Sequence, residues 1–209
     1  MWLFRSANQF IEIHKNNHGN QKLQISKFDI VSYTKEITDT FNEYALRKNI
    51  QIEVLKQNDS IPLWLDKDKT DKIIYNILSN AIKYTKDDGY IFIDFEKQED
   101  GVVIKITDTG IGISKQEQNK IFDRFFRSEK INNYTDGHGM GLTLVKALVE
   151  IQKGIISCSS QEEMGTTFKV FFKYGREHFK PSDITEDESI SSIKEIVLPT
   201  IPSIDPGNP

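Results

Sequence analysis

The chain has 209 residues, 37% of them hydrophobic and 28% charged, and a formal net charge of −4. That length carries one well-cored domain with a tail or linker beside it, and the acidic balance gives no support for a nucleic-acid-binding surface. A single cysteine, Cys158, lies in an apolar-alternating run and reads as a buried thiol, which argues against a disulfide framework or a cysteine metal cluster. No apolar run approaches the ~20 residues needed to cross a bilayer. The opening "MWLFRSANQF" is too short and too polar for a signal peptide. The expectation is a soluble intracellular domain.

Residues 1–24 begin with a helical pattern and run into a polar turn at Asn16–Asn20, as the frayed end of a longer helix would. In "ISKFDIVSYTKEITDTFNEYALRKN", apolar residues at Ile30, Val31, Ile37, Phe41, Ala45 and Leu46 predict an amphipathic helix with Asp29 as N-cap. "IQIEVL" and "IPLWLD" read as strands. "DKDKTDKIIYNILSNAIKYT" predicts a second helix, capped by Asp66. "YIFIDFEKQEDGVVIKITD" predicts a hairpin, "KQEQNKIFDRFF" starts helical, and "GLTLVKALVEIQKG" is a helix ending in Gly154. A last hairpin turns at "EEMG". Adjacent hairpins with interleaved helices predict an α+β two-layer sandwich: one mixed, mostly antiparallel sheet with about three helices on one face. From Gly175 onward the chain holds five of its six prolines and the acidic run "TEDES", the composition of an extended linker, with one short helix near residues 189–197.

Chemistry concentrates in four short stretches. In "NILSNAIKYT", Asn76, Asn80 and Lys83 fall within about 60° of one another on a helix, beside a broad arc of Ile73, Ile74, Ile77, Leu78, Ala81 and Ile82. A solvated polar face explains that stripe on its own. The alternative is a metal and phosphate site, with an Asn carbonyl as a hard oxygen ligand for magnesium and a lysine as a point charge. "DTGIGI" follows directly on a strand. Asp108 there is placed to accept from an exocyclic amine, and Gly110 and Gly112 allow close backbone approach. "GHGMGL" runs into a helix N-terminus, an anion site by its free N–H groups and dipole. No strand precedes it and no Walker lysine follows, so it belongs to neither the Rossmann nor the P-loop pattern. "MGTTF" is a tight turn into the last strand.

In this order and spacing, the four stretches resemble the ATP-binding catalytic domain of bacterial sensor histidine kinases, within the GHKL (Bergerat) ATPase superfamily. "NILSNAIKYT" is similar to the N box, "DTGIGI" to the G1 box, "FDRFFR" to the F box, "GHGMGL" to the G2 box and "GTTF" to the G3 turn, over roughly residues 25–175. The resemblance implies ATP and Mg2+ as ligands. It implies Asn80 as the magnesium ligand, Lys83 on the phosphates, and Tyr84 lining the adenine pocket. Asp108 would take the adenine amino group, with Gly112 beneath the base and Gly110 and Ile113 among the other nucleotide-binding residues. Gly137, His138, Gly139, Met140, Gly141 and Leu142 would form the lid end that wraps the phosphates. Thr166 or Thr167 would complete the adenine end, and Arg124 or Arg127 would reach the γ-phosphate or the acceptor, unless either is a surface ion pair. Hydrolytic members of the superfamily carry a glutamate base four residues before the magnesium Asn. Asn76 stands there, and an amide cannot take a proton as a carboxylate can, which implies a kinase rather than a hydrolase.

The family's phosphoacceptor pattern surrounds none of His14, His18, His138 or His178. The acceptor is therefore expected on dimerisation helices outside this chain, with residues 1–24 as their end and connector, 25–175 as the catalytic domain and 176–209 as a linker. Residues 8–37 and the tail further resemble hybrid two-component sensors of Bacteroides type, in which a receiver domain would follow. The expectations are a mostly monomeric fragment of a dimeric parent and the cytoplasmic portion of an inner-membrane sensor. They also include a lid at about 112–140 that orders on Mg·ATP. A superfamily hydrolase and a nucleotide-binding docking module without catalysis are the competing readings.

Overall fold

The computed structural model describes residues 22–55, 59–128 and 139–185. The expected helix near 189–197, His14, His18, Gly137 and His138 lie outside them. The chain runs β1 (Ile25–Asp29), α1 (Ile30–Asp39), α2 (Asn42–Leu46), β2 (Gln51–Val54), β3 (Pro62–Asp66), α3 (Lys67–Tyr84), β4 (Tyr90–Lys97), β5 (Gly101–Asp108), α4 (Gly141–Ile151), β6 (Ile155–Gln161) and β7 (Gly165–Lys173). A 3-10 turn follows at Pro181–Asp183.

Five strands form a mixed sheet in the order β2-β4-β5-β7-β6. β2 runs parallel to β4 and every other pair is antiparallel. Side chains alternate across it: Ile91, Ile93 and Phe95 of β4, Ile104 and Ile106 of β5, and Phe168, Val170 and Phe172 of β7 are all buried. α3 lies on β5, α4 beside β6 and on α3, and α1 against α3. This is the two-layer α+β sandwich expected from the sequence. One separate element is added to it: β1 and β3 pair antiparallel as a two-stranded ribbon. Accordingly β2 and β3, neighbours in sequence, do not form a hairpin with each other.

Caps set where the helices begin. The Asp29 carboxylate accepts the N–H groups of Val31 and Ser32 and opens α1; Asp66 accepts the Lys69 N–H and opens α3. The single helix expected over 30–46 is broken at Thr40–Phe41. The Thr40 N–H and hydroxyl both bond to the Ile37 carbonyl, and the Phe41 N–H to that of Thr38, so the turn tightens and the chain restarts as α2. Leu46, expected on the buried face, is 74% exposed. The stretch Lys115–Phe125, expected to start helical, is a run of turns. At the end of α4 the left-handed residue is Lys153 (φ +61°) rather than Gly154. Gly154 is required for another reason: a Cβ there would stand 2.6 Å from the Phe171 carbonyl oxygen.

Residues 176–185 pack back onto the ribbon. Phe179 is buried, the Arg176 guanidinium lies 4.9 Å from the Trp64 ring centroid, Ile184 bridges Ile25 in parallel, and the Thr185 N–H donates to the Ile25 carbonyl at 2.8 Å. The part of the expected linker nearest β7 is thus docked.

Candidate functional site

α3 carries the polar stripe as its sequence requires. Ile73, Ile74, Ile77, Leu78, Ala81 and Ile82 are buried, while Asn76, Asn80, Lys83 and Tyr84 are half-buried along one edge. The Asn76 amide nitrogen donates to the Lys72 carbonyl at 2.7 Å. The Lys83 ammonium stands 5.2 Å from the Tyr84 ring centroid, a cation–π separation that aligns the last two residues of the helix.

The loop after β5 is seated on the end of this helix. The Ile111 N–H donates to the Tyr84 carbonyl at 3.2 Å. A Cβ on Gly110 would lie 2.4 Å from that same oxygen, so only glycine lets the loop approach. Gly112 has φ +67° and its Cβ would meet the Gln161 carbonyl oxygen at 2.0 Å. Ile113 donates its N–H to the Ser160 hydroxyl at 2.8 Å.

Asp108, at the end of β5, is 5% exposed. Burial pushes its carboxyl up to about 6, against the pull of N–H donors from Gly110 and Thr166. In the strand register Asp108 stands opposite Thr166, which stands opposite Ser160. These three lie on the helix-covered face. The Ser160 and Thr166 hydroxyls are 2.9 Å apart. Thr167 points the other way and meets Thr107 at 3.0 Å, so of the two threonines it is Thr166 that shares a row with Asp108.

α4 closes the arrangement. Its first residue, Gly141, lies against Asn76: a Cβ built on it would be 3.1 Å from the Asn76 oxygen. Met140 precedes the helix, is buried, and supplies no side-chain cap, and the first turn carries no acidic residue. Among the described residues, the first turn thus puts no negative charge of its own at the N-terminal dipole end. Gly139 has φ +67° and sits against the Phe126 carbonyl and the Arg127 side chain. Leu142 packs on the core. Arg127 is half-buried beside this turn and Arg124 is exposed. Two residues were missed by sequence reasoning. Ser160 accepts from Ile113 and donates to the Gly165 carbonyl, and the Gln118 amide donates to the carbonyls of Ile113 and Ser160. Nothing local distinguishes Ser160 in "SCSSQ"; only the register opposite Thr166 singles it out.

The residues singled out from the sequence thus lie along one edge of α3, on the loop after β5, in the β7 row and at the start of α4. A family model described as "Histidine kinase-, DNA gyrase B-, and HSP90-like ATPase" matches residues 65–176, and the chain belongs to that family. The curated relatives it is similar to are histidine kinases. Histidine kinase P4 of Formosa agariphila is 34% identical over 210 residues, covering 97% of this chain and 15% of that protein. Sensor histidine kinase WalK of Bacillus subtilis is 33% identical over 175 residues, 76% of this chain and 28% of that one. The chain thus spans a minor part of the curated relatives it matches. Among solved structures, the Acinetobacter baumannii histidine kinase AdeS superposes with a TM-score of 0.67 at 20% identity, over 81% of this chain and 77% of that one. Full-length ShkA in complex with AMPPNP gives 0.70 at 21% identity, over 83% and 36%. At those identities the likeness concerns the fold.

Proposed function

We propose that the domain binds Mg·ATP and transfers its γ-phosphoryl group to a histidine on a dimerisation helix outside this chain. The observation that carries the proposal is the junction at α3. One end of the helix seats the β5 loop through Tyr84, and farther along it Asn76 lies against the first residue of α4, so the one helix borders both the loop after Asp108 and the α4 N-terminus. Asp108 would take the adenine amine, with Thr166 and Ser160 behind it. Lys83 and the start of α4 would hold the phosphates, with Gly137 and His138 extending that end. Asn80 offers the hard carboxamide oxygen that magnesium accepts, in keeping with an ion that takes few protein ligands. The metal would neutralise phosphate charge. Arg127, beside Gly139, is better placed than the exposed Arg124 to reach the γ-phosphate side.

In the transfer, the bond from the γ-phosphorus to the β,γ-bridging oxygen breaks, a bond to an imidazole nitrogen forms, ADP leaves, and the imidazole proton passes to solvent. The protein's task is positioning and charge stabilisation. AMPPNP in the ShkA structure and the response regulator in that of ThkA with TrrA support nucleotide and receiver partners for this chain too. The parent would be a dimeric membrane sensor of the hybrid kind. Among the described residues no helix is long and apolar enough to cross a membrane, so an anchor would lie elsewhere. Calorimetric titration with ATP, first with magnesium and then with EDTA, tests the proposal: magnesium-dependent binding is expected, and no heat in either buffer overturns it.

A further inference from the structure

The last turn of an α-helix leaves four carbonyls without an intrahelical partner, and in α3 their partners can be named. The Ala81 carbonyl accepts the Thr85 N–H at 2.9 Å and the Thr85 hydroxyl at 2.6 Å. The Tyr84 carbonyl accepts the Ile111 N–H. The two between them, Ile82 and Lys83, are taken by one side chain from a different part of the chain. The Lys48 ammonium donates to Ile82 at 2.9 Å and to Lys83 at 3.4 Å, and also to the Thr85 carbonyl at 2.5 Å. An ammonium has three donors and no acceptor, so its capacity matches these three oxygens. Its charge also sits at the negative end of the helix dipole.

Lys48 is itself held. It lies in the turn between α2 and β2, next to Asn49, whose φ is +51°. The Lys48 carbonyl accepts the Asp88 N–H at 3.0 Å, the Asn49 amide donates to the Asp88 carboxylate at 2.6 Å, and the Gln51 N–H donates to the Gly89 carbonyl at 3.0 Å. Two turns far apart in sequence are thereby fastened to each other, with the ammonium reaching from one into the end of α3.

That end is where the candidate site is set. Lys83 and Tyr84 are the last residues of α3. The Tyr84 carbonyl is also the seat of Gly110 and Ile111, so a displacement of this turn moves the phosphate-side lysine and the loop beneath the base together. We propose that Lys48 is a positioning residue of the nucleotide site, locking the last turn of α3 through its carbonyls. The proposal deepens the nucleotide-binding function above and rests on it.

The test is ATP affinity by calorimetry, with magnesium and well below the unfolding temperature, for the full 209-residue chain and for K48M, K48Q and K48R. K48M is expected to bind about tenfold more weakly, the size of loss that follows removal of an outer-shell partner of a ligand-holding group. K48R keeps charge and N–H donors and is expected to lie between K48M and the unsubstituted chain. K48Q retains one amide donor group and keeps the comparison open if K48M does not fold; weaker binding by it supports the proposal. Unchanged affinity in a folded K48M or K48Q, even with a lowered unfolding temperature, overturns it, as does a K48R no better than K48M. No binding by the unsubstituted chain overturns the nucleotide function itself, and this role with it.

Discussion

Asn76 faces Gly141 across the junction of α3 and α4, with its oxygen 3.1 Å from where a β-carbon on that glycine would stand. Its amide nitrogen is committed to the Lys72 carbonyl, so the oxygen is the end turned toward the start of α4. A carboxylate in that place would face the same helix terminus with the capacity to accept a proton, which the amide lacks. The unsubstituted chain is therefore expected to release phosphate slowly from ATP. N76E should raise that rate about tenfold or more, toward the range of general-base contributions. Steady-state phosphate release measures both; equal rates would remove Asn76 as the feature that distinguishes kinase from hydrolase.

Asp108 links stability and binding with opposite signs. Burial pushes its carboxyl up to about 6 in the fold, from an ordinary value of 3.8, because the charged form is desolvated. Between those values the folded state holds the proton that the unfolded state has released. The group's contribution to stability therefore falls as pH rises from about 4 to 6, by about 3 kcal/mol in all at 1.36 kcal/mol per unit. D108N is expected to unfold at a higher temperature than the unsubstituted chain at pH 8, and the gap should close at pH 4. ATP affinity should behave the other way, since the ionised carboxylate is the better acceptor for an amine. It should rise between pH 5 and 7 in the unsubstituted chain, and D108N should lose the part of that rise due to this group. A stability gap independent of pH would refute the linkage.

Much of this site was legible in the sequence because helical spacing is a strong constraint. Asn76, Asn80 and Lys83 share a stripe whatever surrounds the helix, and Ile73, Ile77 and Ala81 must face the core if the helix folds onto a sheet. Asp29 and Asp66 announced their helices by the same local logic. What stayed hidden depended on pairing between distant segments. β1 is five residues long and is a strand only because β3 runs beside it. Lys48 looks like one more surface lysine until the end of α3 is brought to it. Ser160 gains its place from the register of β6 on β7. The break at Thr40 was missed because apolar spacing continues through it; a hydroxyl bonding back to the helix outweighed periodicity.

The Asp66 carboxylate joins three parts of the chain. It accepts the Gln24 N–H at 2.9 Å, the Lys69 N–H at 3.1 Å and the Lys69 ammonium at 2.8 Å. Its own N–H donates to the Gln152 side chain past the end of α4. Lys69 is 6% exposed, so D66A strands a buried ammonium and removes the cap of α3 together. A loss of about 3–5 kcal/mol is expected. In the double variant D66A/K69M the stranded charge is gone, and part of that loss should return. Urea unfolding of the two variants measures this, and equal midpoints would mean that the cap alone, and not the buried charge, sets the cost.

Cys158 stands opposite Phe168 in the register, and burial, with the Asp108 charge behind it, pushes its thiol up to about 12. The thiolate is the reactive form. At pH 8 its population is expected to be about a thousandfold below that of an ordinary thiol titrating near 9. Iodoacetamide should therefore label the folded chain very slowly and the urea-unfolded chain at an ordinary rate. Cys158 is half-buried against the core rather than buried in it as its sequence suggested, and rapid labelling of the folded chain would mean that water reaches its sulfur freely.

The segment after β7 carries the last prediction, because composition and packing pull in different directions there. Its prolines and acids read as linker, yet Phe179 is only 7% exposed and Thr185 bonds to the ribbon strand nearest the start of the described chain. F179A empties a core position and is expected to cost about 3 kcal/mol. R176A gives up a cation–π contact on Trp64 and should cost about 0.5–1 kcal/mol. Truncation after Gly175 should destabilise at least as much as F179A, since it removes that ring, the Ile184 bridge and the Thr185 hydrogen bond together. Thermal unfolding of the three variants ranks them. A truncated chain as stable as the intact one would mean that residues 176–185 rest on the ribbon without holding it, and the linker would then begin directly at the end of β7.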